Sequence, residues 1–296
     1  MRENGGVTSP SPRPWTTATS ARPPRLIATD LDGTLLRDDK TVSPRTVAAL
    51  AAAEAAGIEV FFVTGRPARW MDVVSAHLHG HGIAICGNGA AVVDLHGGPL
   101  APRFLKVREL PAEAARSVVS ALREAAPGTA FAVERTGGLH HEPDYPPLQL
   151  DIGESVAPAE KLLAEGAAGD DQPVLKLLAH HPALAPDAFL DLARAAVGER
   201  ANVTRSSPTA LLEISGPGVS KASTLELCCA ERGISPAEVI AFGDMPNDIE
   251  MLAWAGTSFA MGNAHPAVHA AATLLTSGNN EDGVAVVIER ILAEGL

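Results

Sequence analysis

The chain contains the run Leu26-Ile27-Ala28-Thr29-Asp30-Leu31-Asp32-Gly33-Thr34-Leu35-Leu36. An apolar, β-prone stretch leads directly into two aspartates one residue apart, followed by Gly-Thr. Two carboxylates at the end of a buried strand repel each other and lose hydration. Across roughly 4 Å this repulsion is of order 1 kcal/mol in water and about 4 kcal/mol at an intermediate dielectric. The pair therefore predicts a hard divalent cation such as Mg²⁺ and chemistry on an anion such as phosphate. The alternative is a strand-end turn in which Asp32-Gly33 makes the bend and Asp30 has no chemical role.

The composition is that of an ordinary globular protein with an acidic balance. The chain has 296 residues, 46% of them hydrophobic and 20% charged, and its net charge is −12. No basic stripe is available to displace counterions from a phosphate backbone, which argues against a nucleic-acid partner. A small phosphorylated metabolite remains compatible with this charge, because its site needs only a few local donors.

The cysteines and the hydropathy pattern predict a cytoplasmic location. The three cysteines are odd in number, two are adjacent (Cys228 and Cys229), and none has metal-type spacing, so buried free thiols in a reducing compartment are expected. No window reaches about 18 continuous apolar residues, and the N-terminus lacks the apolar stretch of a secretory signal. We expect no membrane association, and either a monomer or a weak homodimer.

The order of predicted elements indicates an α/β fold with an insertion. Residues 1–24 are rich in Pro, Ser and Thr, and we predict a disordered tail there. Strands and helices alternate over 25–90 and again over 206–296, which predicts a doubly wound, Rossmann-like parallel sheet as the core domain. Residues 91–205 break the alternation and predict an inserted α+β cap domain. The alternative is that this middle segment continues the main sheet.

Four polar clusters follow predicted strands or enter a predicted helix. In open α/β sheets the carboxyl ends of parallel strands form the ligand crevice, so these clusters are expected to meet there. In chain order they are Asp30-Leu31-Asp32-Gly33-Thr34, Val63-Thr64-Gly65-Arg66, Gly218-Val219-Ser220-Lys221 and Phe242-Gly243-Asp244-Met245-Pro246-Asn247-Asp248.

With these clusters in this order, the chain resembles the haloacid dehalogenase superfamily, and within it the Cof-type phosphatases with a large cap. The four clusters match the four motifs of that superfamily in order. The resemblance as a whole covers residues from about 25 to 296. The Asn88-Gly89-Ala90 turn, the cap-sized gap that follows it and the late Asp282-Gly283-Val284-Ala285 also look like this branch, where the cap lies between the second and third motifs.

The resemblance implies a role for each catalytic candidate. Asp30 would be the nucleophile that forms an aspartyl-phosphate, which splits the hydrolysis into two easier steps. Asp32 would be the general acid and base, and would also offer its backbone carbonyl to the metal. Thr64 and the amides after it would hold a phosphoryl oxygen. Lys221 would neutralise both Asp30 and the phosphoryl group.

The remaining site residues are implied in the same way. Mg²⁺ would be held by Asp30, Asp32 and Asp244, and Asp248 is counted among the metal residues as an indirect or water-mediated partner. Substrate-binding candidates are Gly33, Thr34, Gly65, Arg66, Asn88 and Asn247. Arg66 has two open readings, as a contact to the substrate or as a partner of an acid.

The expected activity is a Mg²⁺-dependent phosphatase that acts on a small phosphomonoester, with a sugar phosphate as the leading guess. Two alternatives stay open: a phosphomutase of the same superfamily, and a non-catalytic sensor of a phosphorylated metabolite.

Two histidine groups are weaker candidates. His77, His79 and His81 alternate in the manner of a metal tract, although a solvated loop is the simpler interpretation. His140-His141, together with Glu134 and Arg135, could face the substrate from the cap.

Overall fold

The computed structural model describes residues 23–75, 82–97, 103–147, 155–207 and 209–294. The predicted tail lies outside these ranges except for its last two residues, and so does the tract of His77, His79 and His81. Within the described ranges the chain forms an eight-stranded and a five-stranded sheet.

The strands are β1 (Leu26–Thr29), β2 (Glu59–Val63), β3 (Ile83–Cys86), β4 (Ala91–Asp94), β5 (Arg103–Val107), β6 (Ala130–Arg135), β7 (Leu139–His141), β8 (Val174–His180), β9 (Asn202–Thr204), β10 (Leu211–Ser215), β11 (Val239–Gly243), β12 (Thr257–Ala260) and β13 (Leu274–Leu275). The α-helices are α1 (Pro44–Ala55), α2 (Asp72–Ser75), α3 (Ala112–Ala125), α4 (Ala159–Leu162), α5 (Pro186–Val197), α6 (Lys221–Glu231), α7 (Ile249–Trp254), α8 (Pro266–Ala271) and α9 (Gly283–Glu294).

The larger sheet has the order β13-β12-β11-β1-β2-β3-β4-β5. The strands from β13 to β3 pair in parallel, and β4 and β5 are added antiparallel at one edge. The central strand β1 is fully buried because it is apolar on both faces, as expected for a parallel strand covered on both sides. This confirms the predicted α/β fold class with a parallel core sheet.

Local signals in the sequence explain where α1 begins. The hydroxyl of Ser43 accepts a hydrogen bond from the backbone N–H of Thr46, and Pro44 occupies the first turn. The helix therefore starts at the predicted Ser-Pro pair, and it ends next to Gly57, whose φ of +83° suits glycine.

The smaller sheet has the order β7-β6-β8-β10-β9, and its paired strands are antiparallel. One face packs against α3 and α5 through side chains such as Phe131, Leu177 and Ile214. Because side chains alternate along a strand, Glu134 of β6, Lys176 of β8 and Glu213 of β10 lie on the opposite face. That face contacts the loops of the larger sheet.

The two sheets divide the chain at different points from the predicted boundaries. Strands β4 and β5 lie after residue 90 but belong to the larger sheet, while β10 lies after residue 205 but belongs to the smaller one. Both shifts have one cause: β4, β5 and β10 are short strands whose composition does not show which sheet they join. We call the segment from Ala112 to Ser215 the insert; its status as a separate cap domain stays a prediction.

The three cysteines are free thiols and all are buried, as predicted. Burial raises the pKa of the Cys86 and Cys229 thiols to about 12. Within the described part of the chain, no helix is both long and apolar enough to cross a bilayer.

Candidate active site

Lys221 lies at the centre of a buried charge cluster at the carboxyl ends of β1 and β11. Its Nζ is 2.5 Å from Oδ1 of Asp30 and 2.7 Å from Oδ1 of Asp248. The lysine side chain is only 1% exposed. Ser220, the N-cap of α6, fixes where this helix starts and so places Lys221 in its first turn.

Asp244 and Asp248 come from the loop after β11. The hydroxyl of Thr34 donates to Oδ1 of Asp244 at 2.9 Å, which links this loop to the one after β1. Oδ2 of Asp248 accepts hydrogen bonds from the backbone N–H groups of Asp244 and Met245, both at 3.0 Å. The contact between Thr34 and Asp244 brings together residues 210 positions apart in sequence.

The cluster holds more negative charge than its own lysine can balance. Burial raises the pKa of Asp30 well above its ordinary value, and the charges of Asp248 and Asp244 add to this, while Lys221 opposes it. Burial and the charge of Asp248 likewise raise the pKa of Asp244 to about 7. For Lys221 the two carboxylates outweigh burial and hold its pKa above the ordinary range.

These residues fit a divalent cation. Asp30, Asp244 and Asp248 are all buried, and each offers a carboxylate oxygen within 4.8 Å of those of the other two. Three carboxylates facing one ammonium group leave an excess of two negative charges, and carboxylate oxygens are the ligands that Mg²⁺ prefers. The arrangement therefore has both the ligand type and the charge that such an ion requires.

Asp32 does not contribute its carboxylate to this cluster. Its Oδ2 accepts from Nε of Arg66 at 2.5 Å, and its Oδ1 accepts from Arg66 at 2.8 Å and from Lys40 at 3.0 Å. Burial raises the pKa of Asp32, but the hydrogen bonds and charges of Arg66 and Lys40 outweigh burial and lower it. The predicted role of Asp32 at the metal, through its backbone carbonyl, stays a prediction. Of the two readings of Arg66, the structure shows the pairing with an acid.

The loops after β2 and β3 lie beside the cluster. The hydroxyl of Thr64 accepts from the backbone N–H of Arg66 at 3.1 Å, and the carbonyl of Thr64 accepts from the N–H of Asn88 at 3.0 Å. Oδ1 of Asn88 accepts from Nδ2 of Asn247 at 3.0 Å. The predicted substrate-binding residues Gly65, Arg66, Asn88 and Asn247 therefore belong to one connected set of loops, and their roles stay predictions.

The insert supplies polar residues to this region that the sequence analysis missed. Lys176 of β8 donates to the carbonyl of Gly65 at 2.7 Å, and Glu213 of β10 accepts from Nδ2 of Asn88 at 2.7 Å. Each is a charged residue with apolar residues on both sides of it in its strand, VLKLLAH and LLEIS. A buried charge needs a partner, so this interruption is the signal that could have found them.

The four cap candidates make contacts in different directions. Glu134 faces the larger sheet and forms an ion pair with Arg69. Arg135 instead donates to the carbonyls of Gln172 and Leu162, on the helical side of the insert. His140 is buried, and Nδ1 of His141 lies 2.8 Å from the backbone oxygen of Glu142. Among these contacts, only the one made by Glu134 reaches a residue outside the insert, Arg69.

Comparison with known proteins identifies the family. The model of the haloacid dehalogenase-like hydrolases matches residues 27–288. The chain belongs to this family. Pyridoxal phosphate phosphatase YbhA of Escherichia coli (strain K12) is 31% identical over 282 residues, which cover 89% of this chain and 97% of that protein. The HMP-PP phosphatase of Serratia proteamaculans (strain 568) is 32% identical over 256 residues, which cover 82% and 85%.

Solved structures of the family share the fold. BT1666 from Bacteroides thetaiotaomicron, a phosphatase of the same superfamily, matches with a TM-score of 0.72 at 22% identity, covering 96% of this chain and 98% of that one. The resemblance drawn from the four motifs is thus confirmed, as is the enzyme class: this member of the haloacid dehalogenase-like family is a hydrolase with named phosphatases as relatives.

Gly33 provides a test of how closely the loop after β1 packs against the loop after β11. Its φ is +79°, and a Cβ added there would lie 2.3 Å from Oδ2 of Asp244. We expect Gly33→Ala to lower kcat for phosphate release at least about tenfold, because Asp244 has to move out of the cluster, and to lower the free energy of unfolding by about 1–3 kcal/mol.

Gly57→Ala is the matched control for this change. Gly57 has a φ of +83°, yet nothing lies within 4 Å of an added Cβ. It therefore carries the same backbone strain without the collision and should keep its kcat. Equal loss of kcat in both variants would show that backbone strain, not contact with Asp244, is responsible.

Proposed function

We propose that this protein is a Mg²⁺-dependent phosphatase that hydrolyses a small phosphomonoester through an aspartyl-phosphate on Asp30. The observation that carries the proposal is the buried set of Asp30, Asp244 and Asp248 around Lys221, at the carboxyl ends of the parallel strands. The family and the named phosphatase relatives support the same reaction class.

In the first step a carboxylate oxygen of Asp30 attacks phosphorus, and the bond to the ester oxygen breaks. The Nζ of Lys221 lies against the attacking carboxylate and balances the charge that accumulates as the phosphoryl group approaches. A bound Mg²⁺ would supply further screening of the negative charge shared by the phosphate and the carboxylates. Asp30, Asp244 and Asp248 are the residues that would hold it.

Asp32 is the proposed acid and base for the two half-reactions. The first step needs a proton on the departing oxygen, and the second needs removal of a proton from the attacking water. In the structure Asp32 is paired with Arg66 and Lys40, which favours its carboxylate form and suits the second step. To donate a proton in the first step, Asp32 has to leave this pairing when the substrate enters.

Thr64 and the following backbone are proposed to hold the phosphoryl oxygens. The loop is fixed on both sides, since the backbone N–H of Thr64 donates to Ile85 and that of Gly87 donates to Arg66. A rigid loop of this kind orients the phosphoryl group for attack by Asp30 without reorganisation during the reaction.

The insert is proposed to act as a cap that covers the phosphoryl site and contacts the leaving group. Its charged face rests on the loops of the larger sheet through Glu134, Lys176 and Glu213. Closure of such a layer excludes water during the first step and selects the substrate. A sugar phosphate remains the leading candidate from the sequence, and the relatives named for pyridoxal phosphate and HMP-PP widen the class to small phosphorylated metabolites.

We also propose a cytoplasmic location, and a monomer or weak homodimer with no nucleic-acid partner. The free, buried thiols support a reducing compartment. The net charge of −12 argues against binding to a phosphate backbone.

The direct test is release of inorganic phosphate from a panel of sugar phosphates, pyridoxal phosphate, a nucleotide and an aryl phosphate, measured with Mg²⁺ and again with a chelator. We expect release from at least one ester that stops on chelation and resumes when Mg²⁺ is restored. Transfer of phosphate between sugar positions without release would indicate a phosphomutase. Ligand binding with no turnover by folded, Mg²⁺-loaded protein would indicate a sensor.

A further inference from the structure

Two buried charges of the insert have no part in the chemistry described above. Lys176 and Glu213 are each 4% exposed, and they sit in strands β8 and β10 on the face that meets the larger sheet. Nζ of Lys176 is 2.5 Å from Oε2 of Glu213. Burying two charges is costly even when they pair, and an apolar pair of the same volume would stabilise the fold as well or better. Their presence therefore suggests a role other than stability.

The pair bonds to the phosphoryl loop of the core. Lys176 donates to the carbonyl of Gly65, the residue that follows Thr64, at 2.7 Å. A Cβ added to Gly65 would lie 3.1 and 3.2 Å from the two carboxylate oxygens of Glu213, so the carboxylate packs directly on this glycine. The other carboxylate oxygen, Oε1, accepts a hydrogen bond from the hydroxyl of Ser206.

The same carboxylate fixes the loop after β3 and, through it, the metal loop. Oε2 of Glu213 accepts from Nδ2 of Asn88 at 2.7 Å, and Oδ1 of Asn88 accepts from Nδ2 of Asn247 at 3.0 Å. Asn88 has a φ of +55°, in the left-handed region that asparagine adopts more readily than most residues, and these two bonds fix its side chain. Asn247 lies between Asp244 and Asp248, so the chain of bonds ends in the acidic cluster.

We propose that Glu213, held by Lys176, is a positioning residue that aligns Gly65 and Asn88, and through them Thr64 and Asn247, when the insert rests on the core. This inference rests on the proposed phosphatase function. Glu213 acts on the loops that hold the phosphoryl group and the metal, and this part of the site is the same for every ester. Loss of Glu213 should therefore lower kcat by a similar factor for all substrates. Loss of a residue that contacts the leaving group would instead change the order of kcat among substrates.

The test compares Glu213→Gln with Glu142→Gln. Glu142 is also a buried carboxylate of the insert, but its partners are Arg123 and the backbone N–H groups of Phe131 and Ala159, all within the insert. With three esters of different leaving groups, we expect Glu213→Gln to lower kcat about 10- to 100-fold by a similar factor on each, with smaller changes in KM. Glu142→Gln should keep kcat within about twofold of the wild type.

Lys176→Met is a second variant that keeps the side-chain volume and removes the charge. We expect the same uniform loss of kcat, and little further loss when it is combined with Glu213→Gln, because the two residues act as one unit. Should one variant fail to fold, the other still carries the comparison.

Hydrogen–deuterium exchange in the absence of substrate gives a readout that does not depend on turnover. Peptides covering residues 64–66 and 87–89 should exchange faster in Glu213→Gln than in the wild type, and at the wild-type rate in Glu142→Gln. An unchanged kcat, factors that differ more than about tenfold between esters, or unchanged exchange in these peptides would overturn the proposal. If the wild type releases no phosphate from any ester, the phosphatase function fails, while the exchange result still decides whether Glu213 positions these loops.

Discussion

Asp30→Asn is expected to reduce phosphate release by at least about 10³-fold while leaving the protein folded, because the amide has nearly the shape of the carboxylate but cannot form the bond to phosphorus. The folded state should not lose stability. Burial raises the pKa of Asp30, which means that its charge is unfavourable where it stands, and the change removes that charge. Lys221 keeps its second partner, Asp248.

The measurement is kcat for the best ester of the panel, with thermal unfolding of both proteins in parallel. Asp191→Asn serves as the control, since it makes the same chemical change at an exposed position of α5 and should alter neither quantity. A rate near that of the wild type in Asp30→Asn would remove this residue as the nucleophile.

Lys221→Met should lower both activity and stability. The rate falls by about 10²- to 10³-fold, because the attacking carboxylate and the phosphoryl group lose their buried counter-charge. The free energy of unfolding in the presence of a chelator should fall by about 3–5 kcal/mol, because Asp30 and Asp248 are left buried without a cation.

Two further variants separate these effects. Lys106→Met removes an ammonium group whose ion pair with Glu231 is partly exposed, and should cost about 1 kcal/mol or less. Adding Asp30→Asn to Lys221→Met should restore part of the lost stability without restoring activity, since the two residues contact each other. If Lys221→Met unfolds as the wild type does, the lysine does not balance the buried carboxylates.

The sequence was informative wherever a polar cluster followed a strongly apolar strand. Asp30, Thr64 and Asp244 follow β1, β2 and β11, and parallel pairing alone brings the ends of these strands to one edge. Lys221 could be placed because Ser220 marks the start of its helix. The arrangement of Asp30, Thr64 and Asp244 in space therefore follows from local signals and one topological rule.

The contacts across the two sheets could not be predicted in this way. Whether Arg66 pairs with Asp32 or points to a ligand depends on the distance between two loops, which no local pattern encodes. Lys176 and Glu213 reach the core only because β8 and β10 are neighbours in the smaller sheet and face the larger one. The sheet boundaries differed from prediction for the same reason, since the membership of a short apolar strand is decided by tertiary packing.

The central place of β1 also has a consequence for synthesis of the chain. One side of β1 pairs with β2, which follows within about 30 residues, but the other side pairs with β11, which is made some 210 residues later. At about 5–20 residues per second, the second edge of β1 stays without its partner for roughly 10 to 40 s on the ribosome. During that time the nascent chain presents an apolar strand edge of the kind that chaperones protect. It also holds Asp30 without Asp244 or Asp248, so the acidic cluster can form only after residues 244–248 have emerged.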